Sequence, residues 1–550
     1  MDLDESIKLE STEVNKLGSN NFVQNSYILM IGYLLSSIIS TIGSILVVRL
    51  IPVKDYGLIT IAFILPSILI PMGELGLNYA SINFIARKMK ENDLEGVRNV
   101  IKINMFIKII VGICFTFFIA YFSVFIAKEI YNVNDERIYF MIQLTSIGVI
   151  SIMLYEAINS FFIGAQKMRL VQFGTILNAS LRTSMQIILI FLGFTLIGPI
   201  LGFVIPPLIV VVFYLFFLKR AFNNPKVKRE KTDWKELSRM IKYGYPLLIF
   251  SIIAGIQGQI FILILSIYGY LNEVSFFHVA VITAGIISIL NKAISFSLFP
   301  IFSKMEWTDK NEQKTLIDYF QFSVKFGTLL IVPVTILLIL FSQDIFPTVF
   351  GKDYREASPF ISTYFLMFLL VAFGSLTIPA FFNGQKQTKY VLYITLVELI
   401  SGVIFALILI SYFGAIGLIF GIVLGSVLSV IYGYLLIRIK YGKGLFSNLK
   451  NVFSIFLIAI LLGIVIFYLN KTFISLIPVS NFVIRITILA ISFIIYGILF
   501  LFLIGIFSLI NIDEINFLVK SFEKFPIINK ILTILAKFEI KLINLKNKIK

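Results

Sequence analysis

The sequence predicts an all-α integral membrane protein of about fourteen transmembrane helices, folded as two pseudo-symmetric six-helix lobes plus two extra helices. Three observations predict it. Apolar runs long enough to cross a bilayer recur from end to end, basic residues gather on alternate sides of those runs, and one short polar turn is written twice about 220 residues apart.

Composition sets the solvent. Of 550 residues, 58% are hydrophobic and only 14% charged, with a mean hydropathy of +0.95; a soluble domain carries about 25% charged residues. The segment 452–469, "VFSIFLIAILLGIVIFYL", is typical of the runs. The single cysteine, Cys114, lies in such a run and excludes an internal disulfide. The single histidine, His278, removes the usual metal sites and catalytic triads, and no Walker, HExxH or GxSxG pattern occurs. No catalytic residue, no metal site and no enzymatic activity are therefore expected. The first 24 residues are acid-bearing and do not read as a cleavable signal peptide.

Breaks at charge clusters and turns give spans near 26–48, 57–85, 103–127, 138–163, 171–193, 197–218, 243–268, 275–302, 320–341, 358–382, 390–412, 415–437, 452–469 and 483–509. Roughly 35 of the 47 basic residues fall on one side, densest in "KRAFNNPKVKREKTDWKELSRMIK" at 219–242. Basic residues are retained in the cytoplasm, so both termini are expected there. This asymmetry explains most of the net charge of +17 without nucleic acid, which is not an expected partner. The outward loops are short. The expected organisation is a cytoplasmic N-terminal segment (1–25), an N-lobe (26–218), a basic cytoplasmic linker (219–242), a C-lobe (243–437), two further helices (438–510) and a basic amphipathic tail on the membrane surface (511–550).

The repeat rests on "FFIGAQK" (161–167) and "FFNGQK" (381–386), each followed by one span and a glycine pair, Gly198 and Gly202 or Gly417 and Gly421. "DYGLITIAFIL" (55–65) aligns loosely with "EVSFFHVAVIT" (273–283). Gly164 and Gly384 are expected to permit the turn, with Lys167 and Lys386 holding it inside. Six spans per half place the halves in the membrane in the same sense, so the site is expected between them and access is expected to alternate.

The order and spacing of "RLIPVKDYGLITIA" (49–62), "GELGLNYASINFIAR" (73–87), "YGYPLLIFSIIAG" (243–255) and "GKDYREASPF" (351–360) resemble the polysaccharide-transporter branch, the Wzx-type flippases, of the multidrug/oligosaccharidyl-lipid/polysaccharide flippase superfamily. The resemblance covers about 26–510. It implies two six-helix lobes in a V and a polyprenyl-linked saccharide as substrate, its lipid tail staying in the bilayer. A plasma-membrane flippase of a prokaryote follows, working among membrane lipids as a monomer, with glycan-assembly enzymes as candidate partners. No cofactor is expected beyond a coupling proton or sodium ion. The alternative on the same fold is a cation-coupled exporter of small amphipathic compounds. A membrane glycosyltransferase would need acids or histidines in a sizeable outward loop, which this chain lacks.

Ionisable groups at bilayer depth cost about 2.5–3.5 kcal/mol on insertion scales, so each needs a partner, a wet cavity or a task. Five stand out: Glu74, Glu156, Arg182, Lys292 and Glu398. Lys108, Lys325 and Arg485 lie near expected span ends and are expected to snorkel. The repeat carries position 74 onto 292, so Glu74 and Lys292 are expected at one depth, with Asn78, His278 and Asn291 beside them. Lys292 then holds a carrier phosphate, or the two form a structural ion pair. Glu156 and Arg182 are expected to pair within the N-lobe, with a cationic cavity role for Arg182 as the alternative. Glu398 shows no partner in sequence. Glu74, Glu398 and Glu156 are the coupling-ion candidates. A lipid-pyrophosphate flippase would be expected to carry several cavity arginines; this chain offers Lys292, Arg182 and His278, which points to a monophosphate carrier or weaker capture.

Overall fold

The computed structural model describes residues 32–222, 232–305, 307, 310–442, 450–476, 482–512 and 514–516, with scattered positions from 529 to 540; side chains of 289–301 are outside that description. The N-terminal segment and most of the basic tail therefore lie outside the described residues. Among those described, every regular element is helical. The chain divides into two compact units, 1–275 and 276–550.

The first unit begins with α1 (Gly32–Leu50). Its next span is broken twice, giving α2 (Val53–Ala62), α3 (Ile64–Gly73) and α4 (Leu77–Lys90). Helices α5 (Leu94–Tyr121), α6 (Glu136–Gly164), α7 (Met168–Phe191) and α8 (Ile197–Phe222) follow. The expected linker is helical from residue 235, where α9 (Lys235–Ile267) starts and runs on as a span packed against α3 and α4. A buried apolar cluster joins α4, α5 and α6, among them Leu77, Val100, Ile103, Ile158 and Phe161. Tyr214 of α8 is fully buried there, its hydroxyl 2.9 Å from Asn159 Oδ1 and 3.1 Å from the Leu170 carbonyl, so its one proton always has an acceptor.

The second unit holds most of α10 (Leu271–Lys304), then α11 (Lys310–Leu340), α12 (Ser342–Phe350), α13 (Ser358–Leu369), α14 (Thr377–Gly384), α15 (Thr388–Tyr441), α16 (Lys450–Leu476) and α17 (Phe482–Ile506). Helix α11 packs on α13 and α16, and α16 on α17. Asn470 of α16 donates to Ser492 Oγ of α17 at 2.6 Å, a polar tie that a lipid-facing pair of helices would otherwise lack.

Eleven helices among the described residues are long and apolar enough to cross a membrane, against the fourteen expected. The 24-residue α7 misses that criterion while carrying Asn178, Arg182 and Gln186. Only Leu271–Gly285 of α10 is counted, as a shorter apolar helix. The 54-residue α15 breaks at Gly414 (φ 61°, ψ −152°) and folds back on itself: Gly417 lies against Leu409, Gly421 against Ala406 and Gly425 against Gly402.

The doubled turn is one structure made twice. In the first copy the amides of Ala165, Gln166 and Lys167 bond to the carbonyls of Phe161, Ile163 and Phe162 at 2.9, 2.9 and 2.8 Å. In the second, those of Gln385, Lys386 and Gln387 bond to Phe381, Asn383 and Phe382 at 2.9, 3.1 and 2.8 Å. The left-handed residue is Gln166 (φ 56°) or Lys386 (φ 58°), so the glycines do not permit the turn as expected. They permit packing. A Cβ on Gly164 would sit 2.9 Å from the Ile82 carbonyl, and one on Gly384 would strike Phe302. The glycine pairs match too: Gly198 and Gly202 lie against Leu189 and Gln186, as Gly417 and Gly421 lie against Leu409 and Ala406.

Candidate functional site

The polar centre of the first unit starts at the second break in the span 53–90. Pro71 lacks an amide proton and weakens α3. The chain then leaves the helix at Glu74, with Leu75 (φ 49°) and Gly76 (φ 69°) both left-handed, before α4 resumes at Leu77. A positive φ on leucine costs about 1–3 kcal/mol and persists only where surroundings enforce it. Here they do: the Gly76 backbone lies directly against that of Gly244 in α9, with no room for a Cβ on either. The break therefore holds Glu74 at a fixed point inside the unit.

Two further charged side chains converge on it. Glu156 comes from α6, and its carboxyl feels the charge of Glu74. Lys108 comes from α5, is fully buried, and has both acids within Coulombic range. Its Nζ has no hydrogen-bond partner, and neither has Glu156 Oε2. One turn before Lys108, Asn104 donates to Ser81 Oγ at 2.7 Å and to the Leu77 carbonyl at 3.4 Å, splinting α4 just past the break. The Oδ1 atoms of Asn104 and Asn78 are buried without partners. A satisfied core of this kind leaves few such atoms; four of them around one break mark a place built for something other than packing.

This arrangement corrects two expectations. Lys108 does not snorkel. The apolar run begins at 103, which places Lys108 near its end, whereas Asp93 caps α5 and the helix runs from Leu94, which puts Lys108 midway along it. Glu156 does not pair with Arg182 either. Arg182 sits on the exposed face of α7 with its guanidinium 5.5 Å from the Phe203 ring centroid, a cation–π contact. Lys325 is also buried, bonded at 2.6 Å to Glu514, which itself caps the Asn511 amide at 2.7 Å.

The remaining candidates are dispersed. Asn78 is buried in α4 near the break. Glu398 accepts from Ser426 Oγ at 2.9 Å across the α15 hairpin, a partner the sequence did not reveal because the two lie 28 residues apart. His278 is half-buried in the second unit. The side chains of Asn291 and Lys292, and with them the expected facing of Glu74 and Lys292, lie outside the described residues. No cluster of three or more His, Cys, Asp or Glu capable of holding a metal occurs among the described residues.

The end of this unit where α4 meets α5 carries its own electrostatics. Lys88 bridges Asp93 (3.2 Å) and the buried Glu236 of α9 (3.7 Å), and Arg239 joins Glu236 at 3.2 Å. Asn99 and Asp233 exchange two hydrogen bonds, at 3.3 and 3.1 Å. The Gly96 amide, donating at 2.7 Å, holds the Asp93 carboxyl below the ordinary aspartate range, with Lys88 adding to it. A depressed acid stabilises the folded state fully above its unfolded value, about 3.9, and the contribution is lost as pH falls through the lower folded value. Asp93→Ala is thus expected to cost about 1 kcal/mol at neutral pH and to converge with wild type in acid, read by thermal unfolding in detergent.

Set against known proteins, the family model described as "Polysaccharide biosynthesis protein" matches residues 46–359. That of the lipid II flippase MurJ matches residues 278–489. An uncharacterized membrane protein of Methanocaldococcus jannaschii is 24% identical over 519 residues, covering 90% of this chain and 97% of that one. Among solved structures, the inward closed conformation of the lipid II flippase MurJ superposes with a TM-score of 0.66 at 17% identity, over 86% of this chain and 98% of that one. An inward-facing MATE multidrug transporter gives 0.60 at 17% identity, over 74% and 94%. At such identities these two structures speak for a shared fold.

Proposed function

The chain belongs to the polysaccharide biosynthesis protein family of the multidrug/oligosaccharidyl-lipid/polysaccharide flippase superfamily, and from that premise we propose that it moves a polyprenyl-linked oligosaccharide from the cytoplasmic to the outer leaflet. It is a multi-pass membrane protein of a transporter family and not of an enzyme family. The observation that carries the proposal is joint: the polysaccharide-biosynthesis family model spans most of the first unit and the start of the second, and the flippase family model spans most of the second. Together they favour a lipid-linked saccharide over the small amphipathic compounds of a drug exporter.

The chemistry on this chain agrees. A carrier phosphate is an anion presented near the headgroup region, and Arg182 offers a guanidinium on an exposed face of α7. Arginine suits phosphate because its planar fork is always charged and binds two oxygens at once. Lys292, with Asn291 and His278, is proposed as a second candidate, able to capture a phosphate as a point charge. The lipid tail stays in the bilayer. The proposed setting is a prokaryotic plasma membrane with both termini in the cytoplasm, the chain acting as a monomer alongside glycan-assembly enzymes.

Depletion of the protein tests this. Lipid-linked glycan is expected to accumulate on the cytoplasmic leaflet, and complementation is expected to fail with Lys292→Ala but succeed with Arg485→Ala. Accumulation on the outer leaflet, or none, would remove the flippase reading; equal complementation would remove Lys292 from it.

A further inference from the structure

We propose that the open end of the α15 hairpin binds the phosphate headgroup of an anionic membrane lipid, with Lys389 and Lys440 as its cations at the Tyr390 ring and with Tyr441 and Trp307 as its aromatic wall. Every part of this site lies in the second unit, and it holds whatever the protein transports.

The 54 residues of α15 divide at Gly414 into two legs. At a rise of about 1.5 Å per residue, each leg crosses a hydrocarbon core of about 30 Å and carries its end to headgroup depth. The two ends meet there on the doubled turn. Tyr390, at the start of the first leg, and Tyr441, at the close of the second, both pack on Phe382, with ring centroids 5.2 and 6.1 Å away. Tyr441 is buried and also meets Phe381 and Trp307 edge-on, each at 5.1 Å. The same turn fixes Trp307. Gln385 donates to the carbonyls of Phe302 and Met305 at 2.7 and 2.8 Å and accepts from the Trp307 amide at 3.2 Å. It thereby closes the gap between α10 and α11 and seats the indole against Tyr441.

Charge gathers on this aromatic surface without a counter-charge. Lys440 Nζ lies 4.8 Å from the Tyr390 ring centroid and 5.7 Å from that of Tyr441, and Lys389 Nζ lies 5.3 Å from that of Tyr390. Among the described residues no carboxylate pairs with either lysine. A ring face attracts an ammonium but does not neutralise it, so two like charges at one ring favour an anion beside them. Both lysines are exposed, and each can turn its ammonium to a phosphate oxygen while its stem stays on the rings. Tyrosine and tryptophan settle at the membrane–water interface, and basic residues beside them attract anionic lipid, which favours a headgroup over a soluble phosphate ester. Tyr393, 45% exposed and 6.3 Å from Tyr390, continues the aromatic surface along the first leg, where an acyl chain would lie. The first copy of the turn serves as an internal control. The Leu170 amide bonds to the Lys167 carbonyl at 3.0 Å as the Tyr390 amide does to that of Gln387 at 3.0 Å. Leu170 therefore stands where Tyr390 does, and Ala165 where Gln385 does. The ring and the amide clamp are additions to this turn and not requirements of it.

The test measures no transport, so its outcome is separate from that of the leaflet assay. Full-length protein is purified in detergent, stripped of lipid and titrated with phosphatidylglycerol, phosphatidylcholine or inorganic phosphate, and the first bound lipid is counted by native mass spectrometry. Phosphatidylglycerol is expected to be retained in preference to phosphatidylcholine, and inorganic phosphate at the same concentration is expected not to displace it. In Lys389→Gln with Lys440→Gln, its apparent affinity is expected to fall about thirtyfold, the attraction of one surface lysine lost twice. Lys440→Arg is expected to keep the affinity. Lys352→Gln with Lys471→Gln, the same loss of charge at two other exposed lysines of the unit, is expected to leave it unchanged. Wild-type affinity in the Lys389 and Lys440 double variant, or equal retention of phosphatidylcholine, would overturn the site. Displacement by inorganic phosphate would overturn a lipid headgroup as its ligand.

Discussion

Lys108→Ala is expected to be the most damaging single substitution in the first unit, costing about 3–5 kcal/mol of stability. The lysine is fully buried and no surface route exists for its charge. Removing it leaves Glu74 and Glu156 in that interior without the cation whose charge they feel. Removing one partner of a buried charged set costs far more than the set contributes when whole, because the survivor keeps its desolvation penalty. The diagnostic is the double substitution. Lys108→Ala with Glu156→Gln deletes one charge of each sign and is expected to recover most of the loss in thermal unfolding. A double variant no better than Lys108→Ala alone would show that the lysine acts through packing and not through charge.

Gly76→Ala ranks next, at about 2–4 kcal/mol, from two separable causes. The first is conformational: φ at Gly76 is 69°, which a side chain adopts at a cost of about 1 kcal/mol. The second is steric, since a Cβ there would meet the Gly244 backbone. Gly244 meets Gly76 in return but is not left-handed, so Gly244→Ala carries only the steric part, about 1–3 kcal/mol. The expected order is therefore Gly76→Ala worse than Gly244→Ala, by monodisperse yield and unfolding temperature. Leu75→Gly, which relieves the strain of φ 49°, is expected to be mild. The reverse order would mean that α9 does not bear on the break as closely as the backbone contact shows.

Much of this architecture was legible beforehand. The recurrence of "FFIGAQK" and "FFNGQK" located two turns that share the same three hydrogen bonds and the same left-handed position. The glycine pairs downstream proved to be matching helix contacts. What the repeat could not convey was why the glycines are there. A glycine in a turn suggests a backbone need, and only the neighbouring helix shows that Gly164 and Gly384 serve close approach.

The polar centre was half legible. Glu74 and Glu156 stood out as acids at bilayer depth, but their meeting did not, because no spacing relates positions 74, 108 and 156 on three separate helices. Lys108 was hidden by a boundary error. The apolar stretch begins at 103, while Asp93, accepting from the Gly96 amide at 2.7 Å, caps a helix that starts at Leu94. An Asp just before a helix run was the available signal. Glu398 likewise found its partner, Ser426, only once Gly414 turned α15 back on itself.

The sequence by itself determined the solvent, the secondary structure and the repeat. These follow from composition and local pattern, because an apolar bilayer forces every backbone group in a span to bond within its own helix. Only the tertiary structure decided which charges share one interior. That depends on how each helix is rotated, where it starts and where it breaks. The left-handed pair Leu75–Gly76, seated on Gly244, set the last of these and so brought Glu74 to Glu156 and Lys108.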